Sequence, residues 1–227
     1  MKKKISTFIF LLATFNNFFA ADIYVNSSGA AGTYNSLSGA HQAANDGDRI
    51  IISTLLTLIE DVTISKSVTI TSAASGSLFV LDGTMTIEAN ANKEIRLIGA
   101  DLDALSFTSG TATDSTACFF YLIDSQVSSN ISSTISGLSF NMLYCDDTDL
   151  QVSFKYGSII GSKISYFELN SGSGIAKNDT TKIIANRFTN TCNVYNQDHN
   201  YLIANNYFTR SGNYQLDINY IKPLNSG

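Results

Sequence analysis

Four aspartates carry the densest potential for chemistry in this chain. Asp146, Asp147 and Asp149 form a tight acidic cluster, and Asp124 stands apart from them on the N-terminal side. Grouped carboxylates can ligate a hard cation or divide acid and base roles between them. This is the best candidate metal-binding or catalytic patch in the sequence. Asp is also at home in turns, because its side chain bonds the backbone two residues on, and turn placement is the favoured reading. His41 has no orienting partner beside it, which makes it a weak acid or base; a capping or surface role is expected. His199 sits between Asp198 and Asn200. Cys118, Cys145 and Cys192 match no zinc spacing. They leave open one disulfide, with Cys118 and Cys145 as the pair, or three buried thiols, the favoured reading. Tyr121, Tyr144, Tyr166, Tyr195 and Tyr207 are apolar rings with a polar handle, suited to carbohydrate where they face outward.

The elements that must position these residues announce themselves near the C-terminus. Ile183-Ile184-Ala185-Asn186-Arg187-Phe188-Thr189 is echoed by Leu202-Ile203-Ala204-Asn205-Asn206-Tyr207-Phe208-Thr209, so Asn186 and Phe188 recur as Asn206 and Phe208. A period near 20 with short β-rich blocks predicts a solenoid in which each repeat is one coil stacked on the last. Asn186 over Asn206 predicts an amide ladder. Phe140, Phe167, Phe188 and Phe208 follow one another at intervals close to that period, which predicts one internal aromatic row. Asp124 and Asp146 are separated by a similar interval, so Asp124 is expected one coil below Asp146.

Blocks of three to six residues rich in Val, Ile, Thr and Phe run from Arg49 to Ile203, separated by Gly, Asn, Asp and Ser. Leu78 to Leu81 and Met85 to Ile87 read as separate strands, as does Ile135 to Phe140. One helix is expected, Tyr34 to Ala44. Leu37, Ala40, His41 and Ala44 fall on one face, Ser36 is the N-cap, and Gly47 is the left-handed stop. Residues 21–48 make an N-terminal cap and 49–227 roughly eight coils, about 40 Å long at 4.8 Å per rung.

Met1-Lys2-Lys3-Lys4, an apolar run from Ile5 to Phe15 and the small-residue exit at Ala20-Ala21 read as a signal peptide over 1–20. The expected location is therefore secreted or cell surface, with no membrane insertion after cleavage. Without Lys2, Lys3 and Lys4, 11 basic residues face 19 acidic ones, a net charge of −8. That balance disfavours nucleic acid as a partner.

The N-terminal third resembles the pectin-lyase-like superfamily of secreted bacterial type. The likeness rests on Ile23-Tyr24-Val25-Asn26, Gly32-Thr33-Tyr34, the Ala-rich helix, Asp46-Gly47-Asp48-Arg49-Ile50, and Val62-Thr63-Ile64-Ser65-Lys66-Ser67-Val68-Thr69-Ile70. It covers roughly 23–70 directly and 130–210 by periodicity. The resemblance implies an all-β, right-handed parallel β-helix whose first edge is covered by the helix. Members of that type often continue into further domains, so either the chain is a fragment that continues beyond Gly227, the favoured reading, or its last coil is protected by a partner.

Enzymes of that superfamily mostly cut acidic polysaccharides. Their lyases hold uronates through carboxylate-bound Ca²⁺, with Arg or Lys as base, and their hydrolases group Asp residues at inverting separations. The hydrolase Gly-His-Gly and Arg-x-Lys are absent here, and Asn178-Asp179-Thr180 is not the Asn-Thr-Asp order. The lyase Arg-x-Pro-x-x-Arg has no counterpart, since the only proline is Pro223. The expectation is a non-catalytic scaffold, adhesin-like or glycan-binding, without cofactor. The alternative is a lyase or hydrolase acting on uronate-containing polysaccharide, with Asp124, Asp146, Asp147 and Asp149 as its patch and Ca²⁺ as its cofactor.

Overall fold

The computed structural model describes residues 20–26, 28, 30–53, 56–113, 115–133, 135, 137–146, 151–154, 156–170, 180–195, 200–209 and 216–219. The proposed signal segment through residue 19, Asp147, Asp149, His199 and the last eight residues lie outside them.

The described residues fold as a parallel β-solenoid with one short helix. Its first face is a ten-stranded sheet, ordered from the N-terminal end as Thr33–Tyr34, Asp22–Val25, Arg49–Ile52, Thr69–Ser72, Glu94–Ile98, Cys118–Ile123, Leu138–Leu143, Tyr156–Ile160, Thr180–Ile184 and Asn200–Ala204. Every neighbouring pair is parallel. Among the described residues about six turns form, against the roughly eight coils expected over 49–227. The remaining strands form a five-stranded sheet in the N-terminal coils and a six-stranded sheet in the C-terminal coils.

Alternation along each strand decides what is inside. In Cys118–Ile123, Cys118, Phe120 and Leu122 are buried while Phe119, Tyr121 and Ile123 face out. Register then stacks like on like: Ile50, Ile70, Leu97, Leu122, Met142, Ile159 and Ile183 form one interior column across seven strands. All seven are at most 1% exposed. Each such side chain contributes roughly 1.5–3 kcal/mol on burial. One parallel register therefore builds a continuous column of the core, and slipping a strand by one residue would turn its whole set outward.

The four phenylalanines expected in one row do not share one register. Phe140 belongs to the first sheet, opposite Phe120 in register. Their rings stack 5.9 Å apart, and Phe107 meets both edge-on at 5.4 and 5.9 Å. Phe188 and Phe208 are in register and stacked at 5.3 Å. Phe167 touches Phe188 at 5.6 Å, but its register partner is Cys192, and Ile164 stands opposite Phe188. A bulge between Ile164 and Tyr166 and coils of unequal length separate residues that simple spacing aligns. The glycine Gly157 faces Phe140 in register, and its φ is +148°. A Cβ there would lie 1.7 Å from the Phe140 carbonyl oxygen, so the close approach of the two strands requires glycine.

Three other expectations shift. The blocks at 78–81 and 85–87 are one strand, Phe79–Ala89, bent by a register change between Leu81 and Thr84. The block at 135–140 is displaced to Leu138–Leu143. The helix, α1, spans Leu37–Ala43, since Tyr34 is drawn into a strand against Val25. Ser36 is its N-cap, accepting the Gly39 N–H at 3.1 Å. The helix ends at Ala44 in extended conformation. Gly47 does have positive φ, but it sits in the following turn and donates to the Ser67 carbonyl.

Two charged side chains from the first coil hold α1 at both ends. Glu60 accepts the N–H groups of Leu37 and Ser38 at 2.6 and 3.1 Å. Lys66 donates to the carbonyls of His41, Gln42 and Ala44 at 3.0, 2.8 and 2.6 Å. An anion at the N-terminal end and a cation at the C-terminal end satisfy orphan backbone groups and complement the helix dipole. That support explains how a short segment of only moderate helix propensity stays helical.

Candidate functional site

The candidate site is built on a turn that recurs at the end of six successive first-sheet strands, from Glu94–Ile98 to Asn200–Ala204. Gly99, Asp124, Tyr144, Gly161, Ala185 and Asn205 occupy that position in successive coils, all with φ between 47° and 68°. The backbone N–H of each of the first five donates to a carbonyl of the next coil: to Ile123, Leu143, Ile160, Ile184 and Ala204 at 2.9–3.0 Å. The left-handed conformation turns the chain sharply out of the strand. It suits Gly, Asp and Asn, and costs Tyr144 and Ala185 roughly 1–2 kcal/mol each. Asp124 is thus a turn residue with an exposed side chain.

The next position forms a ladder: Ala100, Ser125, Cys145, Ser162, Asn186 and Asn206. Ser125 Oγ accepts the Ala100 N–H at 3.0 Å, and Ser162 Oγ accepts the Cys145 N–H at 3.1 Å. Asn186 Oδ1 accepts the Ser162 N–H at 2.9 Å, and Asn206 Oδ1 accepts the Asn186 N–H at 2.9 Å. The amide of Asn186 also donates to Asn206 Oδ1 at 3.1 Å and to the Ile159 carbonyl at 2.8 Å. Asn206 Nδ2 donates to the Ile183 carbonyl at 2.7 Å. The two asparagines singled out by the repeat are therefore bonded to each other. Sequence reasoning missed Ser125, Cys145 and Ser162 as their neighbours in the same file. The available signal was positional: each follows the end of a strand by the same offset.

Beside this file lies a groove of about 900 Å³, lined by Arg49, Ile51, Thr71, Ile98, Gly99, the segment 72–78, the segment 124–126, Tyr144 and Asp146. Its polar lining includes hydroxyls of Thr71, Ser72, Ser75, Ser77 and Ser125, the Arg49 guanidinium, the Gln126 amide, two carboxylates and one phenol. Tyr144 is 62% exposed. Arg49 is occupied by a two-pronged pair with Asp22, at 2.9 and 2.6 Å. Asp146 lies 3.3 Å from the Lys163 ammonium. Among the described residues no cation pairs with Asp124. Asp124 and Asp146 thus share one groove, while Asp147 and Asp149 are not described. Among the described residues no three His, Cys, Asp or Glu side chains gather to hold a metal ion.

Of the other tyrosines, Tyr121 lies beneath Arg96, whose guanidinium carbon is 5.2 Å from the ring centre. Tyr166 donates to Glu168. Tyr207 is exposed, and the side chain of Tyr195 is outside the described residues. A smaller depression of about 210 Å³ lies on the outer surface of the first sheet, with Phe119, Ser139, Asn141, Ser158 and Lys182 in its lining.

The three cysteines are free and buried, so the pairing of Cys118 with Cys145 is not formed. Burial pushes the thiols of Cys118, Cys145 and Cys192 up to about 11, 12 and 12. At neutral pH they stay protonated, which disqualifies them as nucleophiles. His41 is buried rather than on the surface, at 6% exposure, and serves the cap. No family model, curated protein or solved structure matches the chain.

Proposed function

We propose that this protein is an exported, non-catalytic β-helix of pectin-lyase-like type that presents its groove to a glycan. The groove carries the reading: an exposed Tyr144 ring beside rows of hydroxyls and carboxylates, on a rigid ladder-bonded wall. A ring face covers the apolar side of a sugar, and fixed hydroxyls and carboxylates take its hydroxyl groups. The handedness proposed is right-handed, the hand that parallel crossovers adopt almost universally. Export is proposed from the basic-apolar-small order of Met1 to Ala21, and it fits a neutral-polar surface facing a sugar-rich exterior.

The test is binding of soluble neutral and acidic oligosaccharides to the wild type and to Tyr144→Ala. Binding to at least one glycan, weakened about tenfold by the substitution, supports the reading. No binding to any glycan, or binding indifferent to Tyr144, overturns it. Release of unsaturated or reducing ends from a uronate polysaccharide, lost in Asp124→Asn, would establish the enzymatic alternative in its place.

A further inference from the structure

We propose that the N-terminal cap is an acid-sensitive latch, closed while His41 is neutral and loosened when it takes a second ring proton. The imidazole is buried between α1 and the first coil. Its Nε2 accepts the Ser65 N–H at 3.3 Å, so the single proton of the neutral ring resides on Nδ1. The next residue, Lys66, spends its ammonium on three carbonyls at the C-terminal end of α1, one of them that of His41 itself. One side chain of the helix and one stretch of the first coil, 65–66, therefore form a reciprocal clasp.

Protonation of His41 attacks both halves of the clasp. A proton on Nε2 sets a donor against the Ser65 N–H, and a second cation appears beside Lys66. Burial in the first place, and the Lys66 charge in the second, hold the His41 pKa below its ordinary value.

The other charged or titratable groups on the elements packed against α1 are engaged elsewhere or exposed. Asp22 and Arg49 pair with each other. Asp46 binds Lys93 and the Ser67 N–H. Asp48 accepts the N–H groups of Ala21 and Asn45, and Glu60 holds the N-terminal end of α1. Tyr24 and Tyr34 are exposed. Among the described residues no carboxylate stands ready to receive the new imidazolium charge.

The sign follows from linkage. The closed cap binds the proton less readily than the open one, so closure is favoured above about pH 6.5, the ordinary histidine value, and weakens progressively below it. Opening uncovers the apolar end of the solenoid beneath α1, where Leu37, Ala40 and Ala44 are buried. An acidic exterior would thereby turn a sealed end into an associating one.

The full chain is tested by hydrogen exchange at about pH 7.5 and about pH 5, with rates corrected for intrinsic chemistry. Amides in Leu37–Ala44 are expected to open about tenfold more at the lower pH, with Cys118–Ile123 unchanged. His41→Gln retains an acceptor but cannot titrate, so it should abolish the difference. Equal protection of α1 at both values in the wild type, or the same pH dependence in His41→Gln, overturns the proposal. NMR titration of the wild type gives a reading that needs no variant. His41 and His199 are the only histidines, and a His41 midpoint at or above the ordinary value overturns it equally.

Discussion

The N-terminal and C-terminal coils use the same turn for different ends. In the N-terminal coils its left-handed position carries Gly99, Asp124 and Tyr144, all three lining the groove. In the C-terminal coils it carries Gly161, Ala185 and Asn205, none of them among the groove residues. The ladder position grades in the other direction. Ala100 offers no side-chain bond, Ser125 and Ser162 each link two backbone groups, and Asn186 and Asn206 bind across coils through both amide oxygen and nitrogen. One backbone conformation thus separates two tasks. The left-handed residue decides what the surface displays, and the residue after it decides how strongly coils adhere.

The comparison breaks most sharply at Asn186, which is 1% exposed. Asn186→Ala strands the Ser162 N–H and the Ile159 carbonyl in the interior, and about 3 kcal/mol of stability should be lost at roughly 1–3 kcal/mol per orphaned group. Denaturant unfolding measures it, and a loss below about 1 kcal/mol would show that the ladder is ornamental.

The thiols supply the next effect, under alkali. Their folded pKa values are raised from 9.0 to about 11 or 12. Their contribution is fully present below about pH 9 and declines above it, as unfolded thiols ionise and buried ones do not. Stability between pH 9 and 11 should fall with a slope approaching about 1.4 kcal/mol per pH unit for each cysteine. Replacing Cys192 with Ala should flatten the slope by one thiol's share, and an unchanged slope contradicts the burial.

Ser162→Ala removes the acceptor for the Cys145 N–H and should cost about 1–2 kcal/mol, less than Asn186→Ala because the other group it binds, the Ile160 carbonyl, keeps the Tyr144 N–H. Equal losses would erase the graded ladder. The smallest effect is expected at Tyr144. Tyr144→Gly relieves the left-handed strain and should stabilise the fold by about 1 kcal/mol, while removing the ring from the groove. A gain in stability with a loss of glycan binding would sharpen the division between display and adhesion. A loss of both would collapse it.

Local rules made much of this legible beforehand. Asn186 and Asn206 stood out because near-copies one period apart must stack in a solenoid. Ser36 stood out because a hydroxyl ahead of a small apolar face is a helix start. Ser125, Cys145 and Ser162 were hidden because hydroxyl, thiol and amide all serve the same backbone bond, so no single residue type repeats. Phe140 lies on the first sheet and Phe188 and Phe208 on another, because coil lengths vary and near-equal spacing does not ensure one register. Glu60 and Lys66 were invisible as helix clamps, since each lies about a whole coil further along the chain than the backbone groups it binds.

Sequence alone determined the stacked-strand architecture and the helical cap. These follow from alternation, repeat period and capping, which act over a few residues or over one repeat. Tertiary structure alone decided that Asp124, Tyr144 and Asp146 share a groove with the segment 72–78, that Arg49 is already engaged, and that His41 is clasped by Ser65 and Lys66. The physical reason is the rung. Neighbours one coil apart touch at about 4.8 Å, yet a whole coil of chain, with loops of unequal length, separates them in sequence. Spacing in sequence therefore says that coils exist, and only their register says which side chains meet.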